Sequence, residues 1–392
     1  MKILYHHRTA SKDGQAVHIE EMIAALRAQG HEVRVVAPAV SADGQMGANV
    51  GWVHRLRSAL PKALYELLEL TYSLVAYRRL AQAAREFQPD VLYERYNLFL
   101  LAGVMLKRRF GIPLLLEVNA PLVFERCQHS GGLALPWLAR WAEGLAWRSA
   151  DYVLPVTRVL AAHVTAYGVP DVRIRVIPNG INRAHFAVAP APTFAKAQRG
   201  LGGKLVLGFT GFVREWHGVD RVIRWMATPA APGNVHLVIV GDGPVRGELE
   251  ALAQQMGLQD RVTFTGVIHR DQVPDWVAAF DIALQPAVVP YASPLKLMEY
   301  LVLGKAIIAP RTPNLCEVLS DGENSLLFDA DASDAFEHAL SQLCADDVLR
   351  EKLGVGAHAT VDRLDLTWDG NARRVAGLAA SLADAARQQR SA

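Results

Sequence analysis

Short aliphatic runs alternate along this chain with longer stretches in which apolar residues return every third or fourth position. The first kind of pattern predicts buried strands and the second amphipathic helices. In the first half, strands are expected at 2–6, 32–37, 91–94, 113–118, 152–155 and 173–177. Helices are expected between them. One covers 15–28 through Val17, Ile19, Met22, Ile23 and Leu26, with Gly30 as its stop, and a long one covers 58–87. The second half repeats the alternation, with strands at 204–210, 235–240, 262–264, 282–285, 306–309 and 325–328. Its helices are expected at 218–226, 246–256, 294–303 and 331–344, with a long terminal helix at 366–388. Strand–helix alternation implies parallel sheets covered on both faces, an α/β architecture. Between the two sets lie the turn Pro178-Asn179-Gly180 and an Ala-, Pro- and Gly-rich stretch at 187–203 with little periodicity. That break argues against a single eight-stranded barrel and for two doubly wound domains. The expected domains are 1–180, joined by the helix 366–389, and 204–365. In such sheets ligands bind beyond the carboxyl ends of the strands, so two of them facing each other are expected to frame a cleft.

Composition narrows the class. The 392 residues are 51% hydrophobic and 20% charged, a globular balance. Three cysteines, Cys127, Cys316 and Cys344, have no paired spacing, which fits a reducing compartment and makes a disulfide framework or zinc site a poor expectation. The start, Met1-Lys2-Ile3-Leu4-Tyr5-His6-His7, turns polar too soon for a signal peptide. The apolar run 98–106 stops at Lys107-Arg108-Arg109, about half the roughly 20 residues a spanning helix needs. A cytoplasmic protein is expected, attached at most to the inner membrane surface. Charge is uneven: residues 1–185 carry 22 Lys and Arg against 15 Asp and Glu, and the remainder 19 against 24. A basic first half suits an anionic partner, although ordinary scatter explains it equally well. Nucleic acid is a poor candidate, because no basic stretch is interleaved with aromatics.

Three strand-to-helix loops carry candidate chemistry. In Tyr291-Ala292-Ser293-Pro294-Leu295-Lys296-Leu297-Met298-Glu299-Tyr300, Ser293 is expected as N-cap and Pro294 as the first helical residue. The helix start around Ser293, Pro294 and Leu295 then offers free N–H donors to an anion. Lys296 and Glu299 share a face. The cation can meet a diphosphate, and the carboxylate one turn deeper can accept from ribose hydroxyls. A capped surface helix with a solvated Lys–Glu pair is the plainer alternative. In Thr210-Gly211-Phe212-Val213-Arg214-Glu215-Trp216-His217-Gly218, Arg214 and His217 are candidate donors to a leaving diphosphate, or a solvated Arg and a structural His. Gly14, in Ser11-Lys12-Asp13-Gly14, permits close backbone approach to a phosphate or sugar, or only shapes the turn. Glu117-Val118-Asn119-Ala120-Pro121 closes an apolar strand, and Val240-Gly241-Asp242-Gly243-Pro244 is a glycine-rich turn. No phosphate loop, dinucleotide fingerprint, nucleophile elbow or D-x-D cluster is present. Diphosphate charge must then be met by helix termini and basic side chains, with no metal and no cofactor beyond the substrate itself.

In this order the segments resemble family 4 of the glycosyltransferases, whose GT-B fold pairs two Rossmann-like domains. The resemblance spans nearly the whole chain: Gly14, Gly30-His31-Glu32-Val33, Ile177-Pro178-Asn179-Gly180-Ile181-Asn182 with Phe186, Gly241-Asp242-Gly243-Pro244, Phe264-Thr265-Gly266-Val267, Glu299-Tyr300-Leu301-Val302-Leu303-Gly304-Lys305 and Trp368. It implies transfer of a sugar from a nucleoside-diphosphate donor with retention of configuration. Glu299 would bind the donor ribose, residues 293–295 the diphosphate, the backbone near Val267 the base, and Gly14 and Asn119 the sugar. Gly211 belongs to the donor side, and acceptor binding to the first domain. The sequence departs from the family pattern at four positions. Tyr291 stands where an E-x7-E pair has its first Glu, Phe212 where an Arg is usual, His217 where a Lys is usual, and Asn119 where a His is frequent. Trp216-His217-Gly218, Glu117-Val118-Asn119-Ala120-Pro121 and Ser293-Pro294-Leu295-Lys296 look like a variant subgroup.

The expected mechanism has closure about 178–203 expelling water, and Lys296, His217, Arg214 and the helix start stabilising the departing diphosphate. The acceptor hydroxyl attacks from the same face. Two other readings stay open: a non-catalytic sugar-nucleotide-binding partner, and a sugar-nucleotide epimerase. A glycan or lipid-linked acceptor in envelope or exopolysaccharide assembly is the setting the resemblance suggests. Arg55, Arg57, Lys62, Arg78 and Arg79 around Leu64, Leu67, Leu68 and Leu70 suit an anionic membrane surface, although the leucines also fit a core.

Overall fold

The computed structural model describes residues 1–9, 14–38, 60–129 and 131–391. Two compact units account for them. One comprises Met1–Pro178, Tyr291–Ser293 and Trp368–Ala392, the other Asn179–Pro290 and Pro294–Thr367.

The first unit runs β1 (Lys2–His6), α1 (Gly14–Ala28), β2 (Glu32–Val36), α2 (Lys62–Phe87), β3 (Val91–Arg95), α3 (Ala102–Phe110), β4 (Leu114–Val118), α4 (Leu122–His129), α5 (Pro136–Ser149), β5 (Tyr152–Pro155) and α6 (Arg158–Ala166). Among the described residues, five parallel strands pair in the order β2-β1-β3-β4-β5. Every residue of β3 and β4 is buried, because helices cover both faces of the sheet. The strand expected at 173–177 does not form as such. Ile174 makes an isolated bridge to Val153, and the N–H groups of Arg175 and Ile177 donate to the carbonyls of Val153 and Pro155. The segment follows β5 as an edge without completing a ladder.

The second unit runs α7 (Arg183–Phe186), α8 (Pro192–Gln198), β6 (Leu205–Thr210), α9 (Val219–Met226), β7 (Val235–Val240), α10 (Arg246–Gln255), β8 (Val262–Phe264), α11 (Val273–Ala278), β9 (Ile282–Leu284), α12 (Leu295–Val302), β10 (Ala306–Pro310), β11 (Leu326–Phe328), α13 (Ala335–Ala345) and α14 (Asp347–Arg363). Its sheet order is β11-β10-β9-β6-β7-β8. Strand residues alternate between two cores. Leu205, Leu207 and Phe209 join one with Leu237, Ile239 and Ile282, while Val206 joins the other with Val238, Val240 and Ala283. The stretch 187–203 is not structureless. Pro192 opens α8, Ala195 packs on Ala278 and Ala279, and Lys196 Nζ pairs with Asp281 at 2.5 Å.

α15 (Trp368–Ser391) follows the second unit in sequence but packs on α1 of the first. Trp368, Ala372, Val375, Ala379 and Ala383 form its buried stripe. Buried Asn371 Nδ2 donates to the Pro178 carbonyl at 2.6 Å.

Candidate functional site

β6 is the first strand of the second unit, and its neighbours β7 and β9 lie on opposite sides, so the chain reverses its direction of winding there. The loops leaving β6 and β9 at this switch point carry the candidate groups. At the end of β6 the Thr210 N–H donates to Tyr300 Oη at 2.9 Å and its Oγ1 to Glu299 Oε2 at 3.1 Å, tying the strand end to α12. Gly211 follows at φ 116°. A Cβ there would sit 3.5 Å from Lys296 Cε, and one on Gly241 only 2.2 Å from the Gly211 carbonyl oxygen. The loops after β6 and β7 thus meet backbone to backbone, which a larger residue at Gly241 would prevent. Gly241 also bridges Gly266, and Val267 follows, more than half exposed.

α12 begins differently from the expectation. Its N-cap is Pro294, not Ser293, and no side chain caps it. Ser293 instead groups with Tyr291 and Ala292 in the first unit. A Pro that lacks an N–H and holds φ −68° and ψ 125° sits just outside the helix, leaving the Leu295 and Lys296 amides as the first donors. Lys296 Nζ lies 3.6 Å from the centre of the Phe209 ring and has no hydrogen-bond partner among the described residues. Burial pushes its pKa down to about 7 against the opposing pull of Glu299. Burial likewise raises Glu299, opposed by the Thr210 hydrogen bond and by Lys296 and Arg270. Burying an ammonium without an acceptor costs free energy, which is what lowers its pKa.

His217 differs from the cation expected of it. Its Nδ1 accepts from the Arg214 N–H at 3.1 Å, so a neutral ring carries its proton on Nε2. Burial, then the charges of Lys296 and Arg214, push its pKa down to about 2. His217 is therefore an N–H donor, not a charge. Arg214 is exposed, its guanidinium 4.9 Å from both the Phe212 and Trp216 rings. Phe212 thus stacks on the basic side chain of this loop.

In the first unit Gly14 opens α1, while Ser11, Lys12 and Asp13 lie outside the described residues. Asn119 follows β4 beside a hub that the sequence reading missed. Glu117, 2% exposed, pairs with Arg95, meets His18 Nε2 at 2.9 Å, and accepts from Tyr93 Oη at 2.6 Å and Asn119 Nδ2 at 2.5 Å. Burial raises the Glu117 pKa, but His18, Arg95 and the hydrogen bonds outweigh it and hold the carboxyl far below its ordinary range. The one available signal was a lone carboxylate inside the apolar run Leu114-Leu115-Leu116-Glu117-Val118. Tyr291, at the E-x7-E position, donates from Oη to Glu125 at 3.2 Å and accepts Thr157 Oγ1 on its carbonyl at 3.0 Å.

The leucines of α2 divide. Leu70 packs with Leu98, Phe99 and Leu138, whereas Leu64, Leu67 and Leu68 are exposed. Glu66 accepts the Ala134 and Leu135 N–H groups at 2.7 and 2.8 Å and so holds the start of α5 against α2. α5 exposes Trp137 at 66% and Trp141 at 48%, one turn apart. Arg55 and Arg57 lie outside the described residues. Among those described, no helix is long and apolar enough to cross a membrane, and no three His, Cys, Asp or Glu side chains converge to hold a metal ion.

Two family models divide the chain between them. "Glycosyl transferase 4-like domain" matches residues 13–180 and "Glycosyl transferases group 1" matches 204–346. A D-inositol 3-phosphate glycosyltransferase of Xylanimonas cellulosilytica is 29% identical over 92% of this chain and 90% of its own. Among solved structures, a sucrose-phosphate synthase of Thermosynechococcus elongatus superposes with TM-score 0.79 at 19% identity, over 98% of this chain and 100% of that one. The HepE protein of Anabaena, solved with UDP, gives 0.76 at 19% over 97% and 100%, and it has also been solved with UDP-glucose. The two family models, which together span most of the chain, make it a glycosyltransferase of family 4, and two parallel sheets that superpose on these structures give it the GT-B fold.

Proposed function

We propose that the protein moves a sugar, with retention of configuration and without a metal, from a nucleoside diphosphate to a hydroxyl of a glycan or lipid-linked acceptor. The observation that carries this reading is the Lys296 ammonium, desolvated and without an acceptor, beside an uncapped helix start. A diphosphate there accepts from the Leu295 and Lys296 amides and pairs with Nζ. The Nε2–H of His217 and the guanidinium of Arg214 lie on the adjoining loop. Glu299, oriented by Thr210, accepts from the ribose hydroxyls, and the backbone at Gly211 and Val267 borders the nucleotide. In the first unit Gly14 and Asn119 face sugar. The bond from the anomeric carbon to phosphate breaks and that to the acceptor oxygen forms on the same face, the acceptor proton passing to the leaving phosphate. The diphosphate charge then falls on the protein's own cation and amides. The UDP and UDP-glucose named for HepE support a nucleotide-sugar donor.

A thermal-shift screen against UDP, GDP, UDP-glucose and GDP-mannose tests the donor. A ligand at 100 times its Kd stabilises the folded state by about 2.7 kcal/mol. Glu299→Ala should lower nucleotide affinity about 10- to 100-fold, the loss of hydrogen bonds to a charged acceptor. No shift with any nucleotide overturns the reading. Binding with neither transfer nor hydrolysis would make the protein a binder.

For the acceptor, we place the protein in the cytoplasm, peripheral to the inner face of an anionic membrane, in envelope or exopolysaccharide assembly. The exposed Trp137 and Trp141 beside Arg140, with Leu64, Leu67 and Leu68 beside Lys62, support this: aromatic and aliphatic groups insert while cations meet headgroups. Flotation with phosphatidylglycerol vesicles should carry the protein at low salt. Trp137→Ala with Trp141→Ala should weaken association on the order of tenfold or more. Equal flotation of that variant and the wild type would remove this surface from the reading.

A further inference from the structure

The geometry points to Glu117 as a positioning residue that makes Asn119 present its carbonyl oxygen, rather than its amide hydrogens, to a sugar hydroxyl. This rests on the sugar-facing role proposed for Asn119 and specifies which kind of hydrogen bond it makes.

Which way an Asn amide points is settled by its neighbours. Here the neighbour is a carboxylate 2.5 Å away, already met by Arg95, His18 and Tyr93. An ionised carboxylate accepts hydrogen bonds and donates none. The amide edge turned to Glu117 must therefore be Nδ2, and because the group is planar, Oδ1 faces the other way. None of the hydrogen bonds among the described residues ends on that oxygen. Asn119 itself is half-buried and stands just past the carboxyl end of β4, where doubly wound sheets bind ligands. An Asn without the carboxylate would turn either edge outward. With it, the residue offers an acceptor, and the group it selects is a hydroxyl that can donate. Arg95, His18 and Tyr93 reach Glu117 from β3 and α1, so its position does not depend on Asn119.

Asn119→Asp keeps the shape and reverses the hydrogen bond. Two carboxylate oxygens would then face each other, and with both ionised at pH 8 their repulsion drives the substituted side chain out of place. Once protonated, the substituted side chain donates to Glu117 and again leaves an oxygen outward, so the defect should disappear as pH falls. The double variant Glu117→Gln with Asn119→Asp exchanges donor and acceptor, and should recover function at neutral pH. The sugar belongs to the donor or to the acceptor, and two arms separate them. Calorimetry compares UDP-glucose with UDP, and GDP-mannose with GDP. The second arm compares transfer to n-octyl glucoside with hydrolysis of the same donor.

For a donor sugar, Asn119→Asp at pH 8 should lose the extra affinity of the sugar nucleotide about 10- to 100-fold, with bare-nucleotide affinity unchanged. For an acceptor sugar, sugar-nucleotide affinity should hold and the ratio of transfer to hydrolysis should fall by a similar factor. In both cases the loss should shrink at pH 5.5 and in the double variant. A loss that ignores pH, or singles that simply add in the double variant, overturns the proposal. So does an Asn119→Asp variant that matches the wild type in both arms. A wild type that neither prefers the sugar nucleotides to the bare nucleotides nor uses the acceptor overturns the function proposed above as well, which tells the two failures apart.

Discussion

Replacing Lys296 with alanine is expected to lower kcat at least 100-fold, with folding intact. The ammonium is the group best placed to meet charge building on a leaving diphosphate, and removing one such donor typically costs about 3 kcal/mol of transition-state stabilisation. Its pKa of about 7 sets the pH dependence. The cation is present below pH 7 and lost as pH rises, so kcat/KM, which reports the free enzyme, should fall above about 7. A bound diphosphate favours the charged form, so the fall in kcat should lie at higher pH. Stability runs the other way. Between about pH 7 and 10.5 the unfolded chain holds the proton and the folded chain does not, so the ligand-free protein should become more stable as pH rises. Lys296→Met should therefore raise the thermal midpoint of the ligand-free enzyme while abolishing transfer, since a buried unpaired charge is replaced by an apolar chain of similar length. Unchanged turnover in either variant removes Lys296 from the mechanism.

Glu117→Ala is expected to cost about 3–5 kcal/mol of stability, because it leaves Arg95 buried without its countercharge and removes the partner of His18 and Tyr93. The folded pKa of Glu117 is held far below its ordinary 4.5. Its contribution is thus full above pH 4.5 and lost as pH falls below that value, where the unfolded carboxyl takes a proton that the folded one refuses. Acid unfolding of the wild type should begin there. The variant should have a much flatter dependence across the same range, measured by urea midpoints as a function of pH. A variant as stable as the wild type would mean that water replaces the carboxylate.

Much of the fold was legible because parallel strands buried on both faces must be continuous apolar runs. Val235–Val240 and Leu114–Val118 are such runs. What escaped depended on partners distant in sequence. The expectation left 345–365 without an element, although α14 fills it, since Gly354 and Gly356 weaken the helical pattern. The structure explains both glycines: a Cβ on Gly354 would come within 2.4 Å of the Gly304 carbonyl oxygen, and one on Gly356 within 1.9 Å of that of Glu323. α8 escaped because a short helix burying only Ala195 leaves no stripe. At the candidate site, the shared face of Lys296 and Glu299 could be read from spacing alone. The ring of Phe209 under the ammonium could not, because only sheet order brings β6 beside β9. The cap was misplaced by one residue because Ser293 has the right chemistry, but it is Pro294 that takes the capping position. The neutrality of His217 is a property of its burial and of two nearby cations, neither visible in a motif.

The return of α15 to the first unit has a consequence for biosynthesis. The surface of α1 that meets Trp368 and the apolar stripe of α15 is made early, but its cover is translated only after all of the second unit. At about 5–20 residues per second, the ribosome takes roughly 10 to 40 s to travel from Pro178 to Trp368. During that interval, while the second unit is being made, the first lacks a helix of its own core. The unit that is begun first is thus the one that cannot be completed until the last helix of the chain is made.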